Sequence, residues 1–258
     1  LDCLVVLGGN GSQKTANLLS EEGLNVIGLP KTIDNDLWGT DTTFGFQSAI
    51  GIATDVIDCI HTTAASHNRV FMVEVMGHKA GWLTLNAGMA GGADIILIPE
   101  IPYSIDSVVA KIDHRANAGH GFTILAVAEG AMSKKEAAMS KKEYKKHLAE
   151  LLEQYPSVSY AIADKILKKT GREVRVTVPG HMQRGGTPCA YDRVLSSRLG
   201  ATAALMISKG EFGNMVAIHD HVITSVPLKE VAGKLKTIDP SSDIITEARL
   251  LGISFGDD

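Results

Sequence analysis

Cys3-Leu4-Val5-Val6-Leu7-Gly8-Gly9-Asn10-Gly11-Ser12 is where the fold can first be read. Its first half, Cys3–Leu7, is continuously apolar, and short runs of this kind are predicted to be strands buried on both faces. Gly8, Gly9 and Gly11 then allow a tight turn and a close approach of the backbone to a ligand. From Ser12 to Glu22 the pattern predicts a helix. A helix N-terminus presents N–H groups and a partial positive charge, and both suit phosphate. The glycine spacing matches neither the P-loop nor the dinucleotide fingerprint. By itself, therefore, the stretch reads equally as a phosphate turn or as a structural strand–turn–helix unit.

The same alternation continues along the chain. Strands are predicted at Asn25–Leu29, Val70–Val75, Asp94–Ile98, Thr123–Ala128, Glu173–Val178 and Met215–Ile218. Helices are predicted at Phe46–Thr63, Ala80–Ala90, Ile105–Ala118, Tyr160–Thr170 and Asp192–Ser208. Strands alternating with helical segments imply an α/β fold with mostly parallel sheets. Ala131–Glu136 recurs unchanged as Ala138–Glu143 and leads through Lys145, Lys146 and His147 into a helical run to Leu152. This basic stretch reads as a solvated surface helix or mobile loop, with phosphate binding as the alternative. Pro227–Glu230 looks like a helix start, and Asp239–Asp243 like a turn into a last helix.

Of the 258 residues, 45% are hydrophobic and 21% charged, which is enough to bury a sizeable core. The length allows one large domain or two small ones. Twenty-five Lys and Arg against 29 Asp and Glu leave a net charge of −4. That excludes a nucleic-acid binder working by bulk charge, though not a local cationic pocket. No apolar run nears the roughly 18 residues of a membrane span, so no membrane partner is expected. Cys3, Cys59 and Cys189 lie far apart without metal-ligand spacing, a usage that fits a reducing cytoplasm. The chain opens directly on a strand-like run that is no signal peptide, so further residues are expected upstream.

Three more strand ends carry chemistry. Pro30-Lys31-Thr32-Ile33-Asp34-Asn35-Asp36 places two carboxylates at i and i+2, where both can point to one side. One can accept a proton from a substrate hydroxyl while the other helps hold a metal. Lys31 can neutralise phosphate oxygens. A capped loop with surface charges is the alternative reading. Val73–Gly81 ends another strand with Met76, Gly77, His78 and Lys79, and a histidine there is more often structural than ligand-binding. Pro179–Pro188 follows a strand carrying Arg172 and Arg175, and sets His181, Gln183 and Arg184 between glycines; arginine suits bidentate phosphate recognition. Ligands of α/β folds bind at the carboxyl ends of strands, where all four stretches fall.

In this order and spacing, these stretches resemble the 6-phosphofructokinase family over nearly the whole chain. Pro30–Asp36 and Gly180–Gly186 are the most specific matches. The family phosphorylates O1 of fructose 6-phosphate, using Mg²⁺ with ATP or, in some branches, pyrophosphate. The resemblance implies two lobes of three-layer αβα type with mostly parallel sheets. Residues 1–45 and 183–232 would form the donor lobe, and 46–182 and 233–258 the fructose 6-phosphate lobe. By motif, Asp34 is the base that takes the proton of the sugar 1-hydroxyl. Thr32 and Asp36 share its loop, with Asp36 near the metal and phosphoryl group. Gly9, Gly11 and Ser12, with Lys31, match donor-phosphate positions. Met76, Gly77, His78, Glu129, His181 and Arg184 match positions around the sugar phosphate. Arg69 and Arg175 match arginines that reach the 6-phosphate of a neighbouring subunit. The resemblance also implies a cytoplasmic, self-associating enzyme, a homotetramer or dimer.

The chain departs from the family at two positions. Asn10 stands where an aspartate helps place magnesium; an amide can ligate through its carbonyl oxygen but brings no charge. His78 stands where an arginine often steadies the transferring phosphoryl group, and Lys79 or Lys31 could supply that charge. Pyrophosphate users carry aspartate at the position of Gly11 and lysine at that of Lys31. Gly11 leaves room for the nucleotide, so ATP is the expected donor and pyrophosphate the alternative. An NAD or lipid kinase would explain the glycine turn but not the two specific stretches. A non-catalytic, sugar-phosphate-sensing subunit is the rival of another class.

Overall fold

The computed structural model describes residues 1–66 and 69–258. In chain order the elements are β1 (Leu4–Gly8), α1 (Asn10–Glu21), β2 (Val26–Thr32), β3 (Phe44–Gly45), α2 (Phe46–Ala64), β4 (Val70–Val75), α3 (Trp82–Ala90), β5 (Ile95–Leu97) and α4 (Ile105–Asn117). There follow β6 (Thr123–Ala128), α5 (Lys134–Ala137), α6 (Lys141–Gln154), α7 (Val158–Thr170), β7 (Val174–Thr177) and a 3-10 turn (Gly180–Arg184). The last elements are α8 (Ala190–Lys209), β8 (Asn214–His219), β9 (Val222–Pro227), α9 (Leu228–Val231) and α10 (Asp243–Leu250). The chain divides into two units: Leu1–Ala49 with Arg184–Lys236, and Ile50–Gln183 with Thr237–Asp258.

In the first unit the sheet runs β1-β2-β8-β9, with β3 beside β2. β1, β3 and β8 are parallel to β2, and β9 is antiparallel to β8. Side chains alternate across a strand, so each face has its own core. Ile27, Leu29, Val216 and Ile218 pack with Leu195, Leu199, Ala203 and Met206 of α8. Val26, Met215 and Ala217 pack with Ala16 of α1 and with Leu228 and Val231 of α9. The result is helix, sheet, helix.

The second unit has a four-stranded sheet, β5-β6-β4-β7, with every pair parallel. β4 and β6 are buried along their whole length, as expected of central strands covered on both faces. On one face Val70, Met72, Ile95, Leu97, Leu125 and Val127 meet α4 and α7 through Val108, Ile112, Ile162 and Ile166. On the other face α3 comes so close that a Cβ on Gly88 would lie 2.8 Å from Ile96 and 3.1 Å from Ala126. This unit is three-layered too, and the fold is α/β with mostly parallel sheets.

The structure departs from the sequence pattern at several strands and in the basic repeat. β9 lies outside the expected strands: Val-Ile-Thr-Ser-Val-Pro has a mixed pattern and is only partly buried because it is an antiparallel edge strand. Pro227 ends that strand and, as expected, opens a helix, which is a single turn, Leu228–Val231. The expectation of burial on both faces fails for β1 and β7, which are sheet edges with half-exposed residues. The basic repeat forms two helix starts rather than one run. Ser133 and Ser140 each accept from the N–H of Glu136 and Glu143, and those carboxylates accept from the serine N–H. A repeated Ser-Lys-Lys-Glu is a repeated capping box, and the helix behind the second one, α6, buries no residue.

Candidate active site

In the first unit the parallel register of β1 and β2 sets Gly8 opposite Pro30, so the glycine turn and the acidic loop leave neighbouring strands side by side. A Cβ on Gly9 would stand 3.4 Å from the Cβ of Thr32. Two motifs about twenty residues apart in sequence thus meet, because parallel strands end on the same sheet edge. Gly9 is the extended cap of α1, with no side chain bonded to the helix N–H groups. Gly8 must be glycine, since a Cβ there would overlap Ser12. Gly11 faces open space, with nothing within 4 Å of a Cβ built on it. Gln13 is fully buried and donates to the carbonyls of Gly8 at 3.1 Å and Leu29 at 2.9 Å, pinning the ends of both strands together.

The acidic loop is a folded object rather than a solvated one. Thr32 Oγ1 accepts from the Asp34 N–H at 3.1 Å, and Thr43 Oγ1 donates to the Thr32 carbonyl at 2.7 Å. Asn35 and Asp36 are each only 4% exposed, and Asp34 is half-buried. Asn35 sits at φ 53°, a left-handed conformation that asparagine tolerates better than most residues. Its Oδ1 accepts from the Thr43 N–H at 3.1 Å. Lys31 lies exposed at the end of β2.

One residue of this loop's surroundings escaped the sequence reading. Lys236, two hundred residues away, donates from Nζ to Asn35 Oδ1 at 3.0 Å and to the Thr40 and Asp41 carbonyls at 2.8 Å each. Burial pushes its ammonium down to about 8, against the opposing pull of the Asp41 and Asp36 charges. Nothing in Gly233-Lys234-Leu235-Lys236 signals this, because the contact exists only once the chain has returned to the sheet. Asn10 is held as well: its Nδ2 donates to the Lys234 carbonyl at 2.7 Å. That leaves only Oδ1 as a donor atom toward a metal. Among the described residues no three or more His, Cys, Asp or Glu gather as a cage for an ion. Magnesium is ordinarily held by one or two carboxylates plus substrate phosphates, and the Asp34–Asp36 loop beside a phosphate-type turn is a donor set of that kind.

In the second unit Met76, Gly77 and His78 leave the end of β4. Gly77 takes φ 151° and His78 φ 54°. The left-handed form costs roughly 1–2 kcal/mol for a residue with a Cβ. Glu129 offsets this by accepting from the N–H groups of Gly77 at 3.2 Å and His78 at 2.7 Å through one carboxylate oxygen. The His78 side chain is exposed. Gln183, 1% exposed, accepts from the Met76 N–H at 3.2 Å and donates to the Gly180 carbonyl at 3.2 Å. It thereby ties the turn carrying His181 to the end of β4; His181 itself, and Arg184 of the first unit, are exposed. Gln183→Ala leaves a buried N–H without its acceptor, so it is expected to cost about 1–3 kcal/mol of unfolding free energy, read as a lower urea midpoint at unchanged slope.

Arg69 and Arg175 stand apart from this group. They pair with the two oxygens of Glu173, at 3.3 and 2.6 Å, and Arg175 lies opposite Phe71 in the sheet. The whole of β4 separates Arg69 from Met76, and six strand residues span roughly 20 Å. A cavity of about 460 Å³ opens beside Arg69, Arg172, Glu173 and His120. These arginines are not brought to the Met76 end of their own unit.

Residues 1–207 match the phosphofructokinase family. The chain is 56% identical over 257 residues to the ATP-dependent 6-phosphofructokinase of Spirochaeta thermophila, across 100% of this chain and 70% of that protein. It is 47% identical over 272 residues to the enzyme of the same name from Propionibacterium freudenreichii, across 100% of this chain and 73% of that protein. The phosphofructokinase of Pichia pastoris in the T-state superposes with a TM-score of 0.74 at 34% identity, over 90% of this chain and 25% of that one. The pyrophosphate-dependent phosphofructokinase of Marinobacter aquaeolei superposes with a TM-score of 0.76 at 26% identity, over 95% of this chain and 64% of that one.

Proposed function

The chain belongs to the phosphofructokinase family, and from that membership we propose how its residues divide the work of an ATP-dependent 6-phosphofructokinase. The reaction moves the γ-phosphoryl group of ATP to O1 of fructose 6-phosphate, giving fructose 1,6-bisphosphate and ADP. The observation that carries the reading is the glycine turn lying directly against the acidic loop, Gly9 on Thr32, with open space in front of Gly11.

The α1 N-terminus with Gly9, Gly11 and Ser12 receives the donor phosphates on main-chain N–H groups. Asp34 takes the proton of the sugar 1-hydroxyl as O1 bonds to phosphorus and the β–γ bridging bond breaks. The Thr32 hydroxyl, already bonded to the Asp34 N–H, fixes that carboxylate's backbone. Asp36 and the Asn10 carbonyl oxygen would hold Mg²⁺, which when bound with ATP offsets phosphate charge. Lys31 adds a cation near the donor. Met76, Gly77, His78, Glu129, His181 and Arg184 serve the sugar phosphate. The first unit is the donor side and the second the sugar side. ATP, rather than pyrophosphate, follows from the open glycine and from the names of the relatives. Initial rates with fructose 6-phosphate and each donor in parallel test the assignment; turnover of pyrophosphate alone would overturn it.

Self-association follows from the same placement. Arg69 and Arg175 serve the 6-phosphate in a neighbouring copy of the chain, as a homotetramer or dimer. Among the described residues no helix is long and apolar enough to cross a membrane, and we place the enzyme in the cytoplasm with no nucleic-acid partner. Arg175→Ala is expected to raise KM for fructose 6-phosphate more than KM for ATP. Mixing it with an Asp34→Asn protomer restores part of the activity if sites are shared. A fully active monomer at low concentration would refute the shared site.

A further inference from the structure

The segment Lys234–Lys236 lies as a strap across the two halves of the donor-side site. Asn10, in the first turn of α1, donates to the Lys234 carbonyl at 2.7 Å. Leu235 bridges Leu37 in antiparallel fashion, and the Lys236 N–H donates to the Asp36 carbonyl at 2.8 Å. The Lys234 ammonium stands over the Trp38 ring at 5.8 Å. Each of these contacts joins the strap to the first turn of α1 or to the segment that carries the acidic loop.

Lys236 makes the densest of these connections. An ammonium has three donors and no acceptor, and here all three hydrogens have a partner in the arc from Asn35 to Asp41. Asn35 is the residue between the two carboxylates. Its left-handed backbone decides how Asp34 and Asp36 diverge, and its Oδ1 is gripped by Lys236 Nζ and the Thr43 N–H together. From the Asp36 carbonyl to the Asp41 carbonyl Lys236 bonds the loop at three main-chain oxygens, while Ile218, His219 and Asp220 hold its far end at Thr40 and Asp41. We propose that Lys236 is a positioning residue of the phosphoryl-transfer reaction, holding the Asp34–Asp36 loop in register with the phosphate turn without touching either substrate. The proposal rests on the reading of Asp34 as the base. It explains why a cation is spent on main-chain and amide oxygens rather than on phosphate.

A displacement of about 1 Å at a catalytic group can cost on the order of 10²-fold in rate. Lys236→Met keeps the length of the stem and removes every donor. In the full-length enzyme it is expected to lower kcat by about 10²-fold, with KM for fructose 6-phosphate unchanged, since the sugar phosphate is held elsewhere. The double variant Lys236→Met/Asp34→Asn should then be no slower than Asp34→Asn alone, because residues that act as a unit are non-additive. Wild-type kcat in Lys236→Met, a rise in KM at constant kcat, or multiplied losses in the double variant would each overturn the proposal. Asp34→Asn with full turnover would instead refute the base assignment. Should Lys236→Met fail to fold by circular dichroism, Asn35→Gly keeps the left-handed backbone and removes only the side chain that Lys236 grips. Its kcat is expected to fall with KM unchanged, and full kcat there also overturns the proposal.

Discussion

Asp34→Asn is expected to lower kcat by roughly 10²–10⁴-fold, the range lost when a positioned base is removed. Asparagine has the same shape, and the Asp34 N–H keeps its bond to Thr32 Oγ1 at 3.1 Å, so the loop retains its course. What disappears is the capacity to take the sugar proton. KM for fructose 6-phosphate should change little, because the groups assigned to its phosphate lie in other segments. A coupled assay on the purified full-length variant measures both constants. Near-normal turnover would remove Asp34 from the mechanism, and an equal loss in kcat and in affinity would make it a binding group rather than a base.

Gly11→Asp is expected to abolish ATP use, with a loss of at least about 10²-fold in kcat/KM. Juxtaposed like charges cost several kcal/mol, and each 1.4 kcal/mol is tenfold. The variant should fold normally. No atom lies within 4 Å of a Cβ at this position, and an acidic residue in the first turn of α1 favours the helix dipole. The new carboxylate would stand at the turn assigned to the donor phosphates. Lys31→Gly, by contrast, removes only a cation near the donor and should lower ATP turnover far less than Gly11→Asp if shape at Gly11 is what selects the donor. Initial rates with ATP and with pyrophosphate at matched Mg²⁺, for wild type and both variants, decide the matter. Unchanged ATP rates in Gly11→Asp would mean that the donor does not approach this turn.

How the site could be read from the chain differs from residue to residue. The four strand-end stretches stand out because their glycines, carboxylates and arginines are contiguous, and local chemistry survives in a linear string. Asn35 and His78 do not announce their left-handed backbones, since the bonds that hold them come from distant residues: Thr43 and Lys236 donate to the Asn35 side chain, and the His78 N–H donates to Glu129. Gln183 looked like one more polar residue of the Gly180–Gly186 stretch, and its burial against Met76 makes it a fastener. β9 was invisible because edge strands carry a mixed pattern that resembles loop.

By itself the sequence determined the α/β alternation, the parallel character of the central strands and the family to which the chain belongs. Each of these depends on residue type at short spacing: continuous apolar runs, glycine at turns, carboxylates two residues apart. Tertiary structure alone decided that the glycine turn and the acidic loop adjoin, because β1 and β2 pair in register. It also decided that Lys236 and Asn10 close a strap over them, and that Arg69 and Arg175 lie a strand's length from Met76. Contacts between residues dozens or hundreds of positions apart leave no periodicity to read. They exist only when burial of the sheet faces has brought distant segments to one edge.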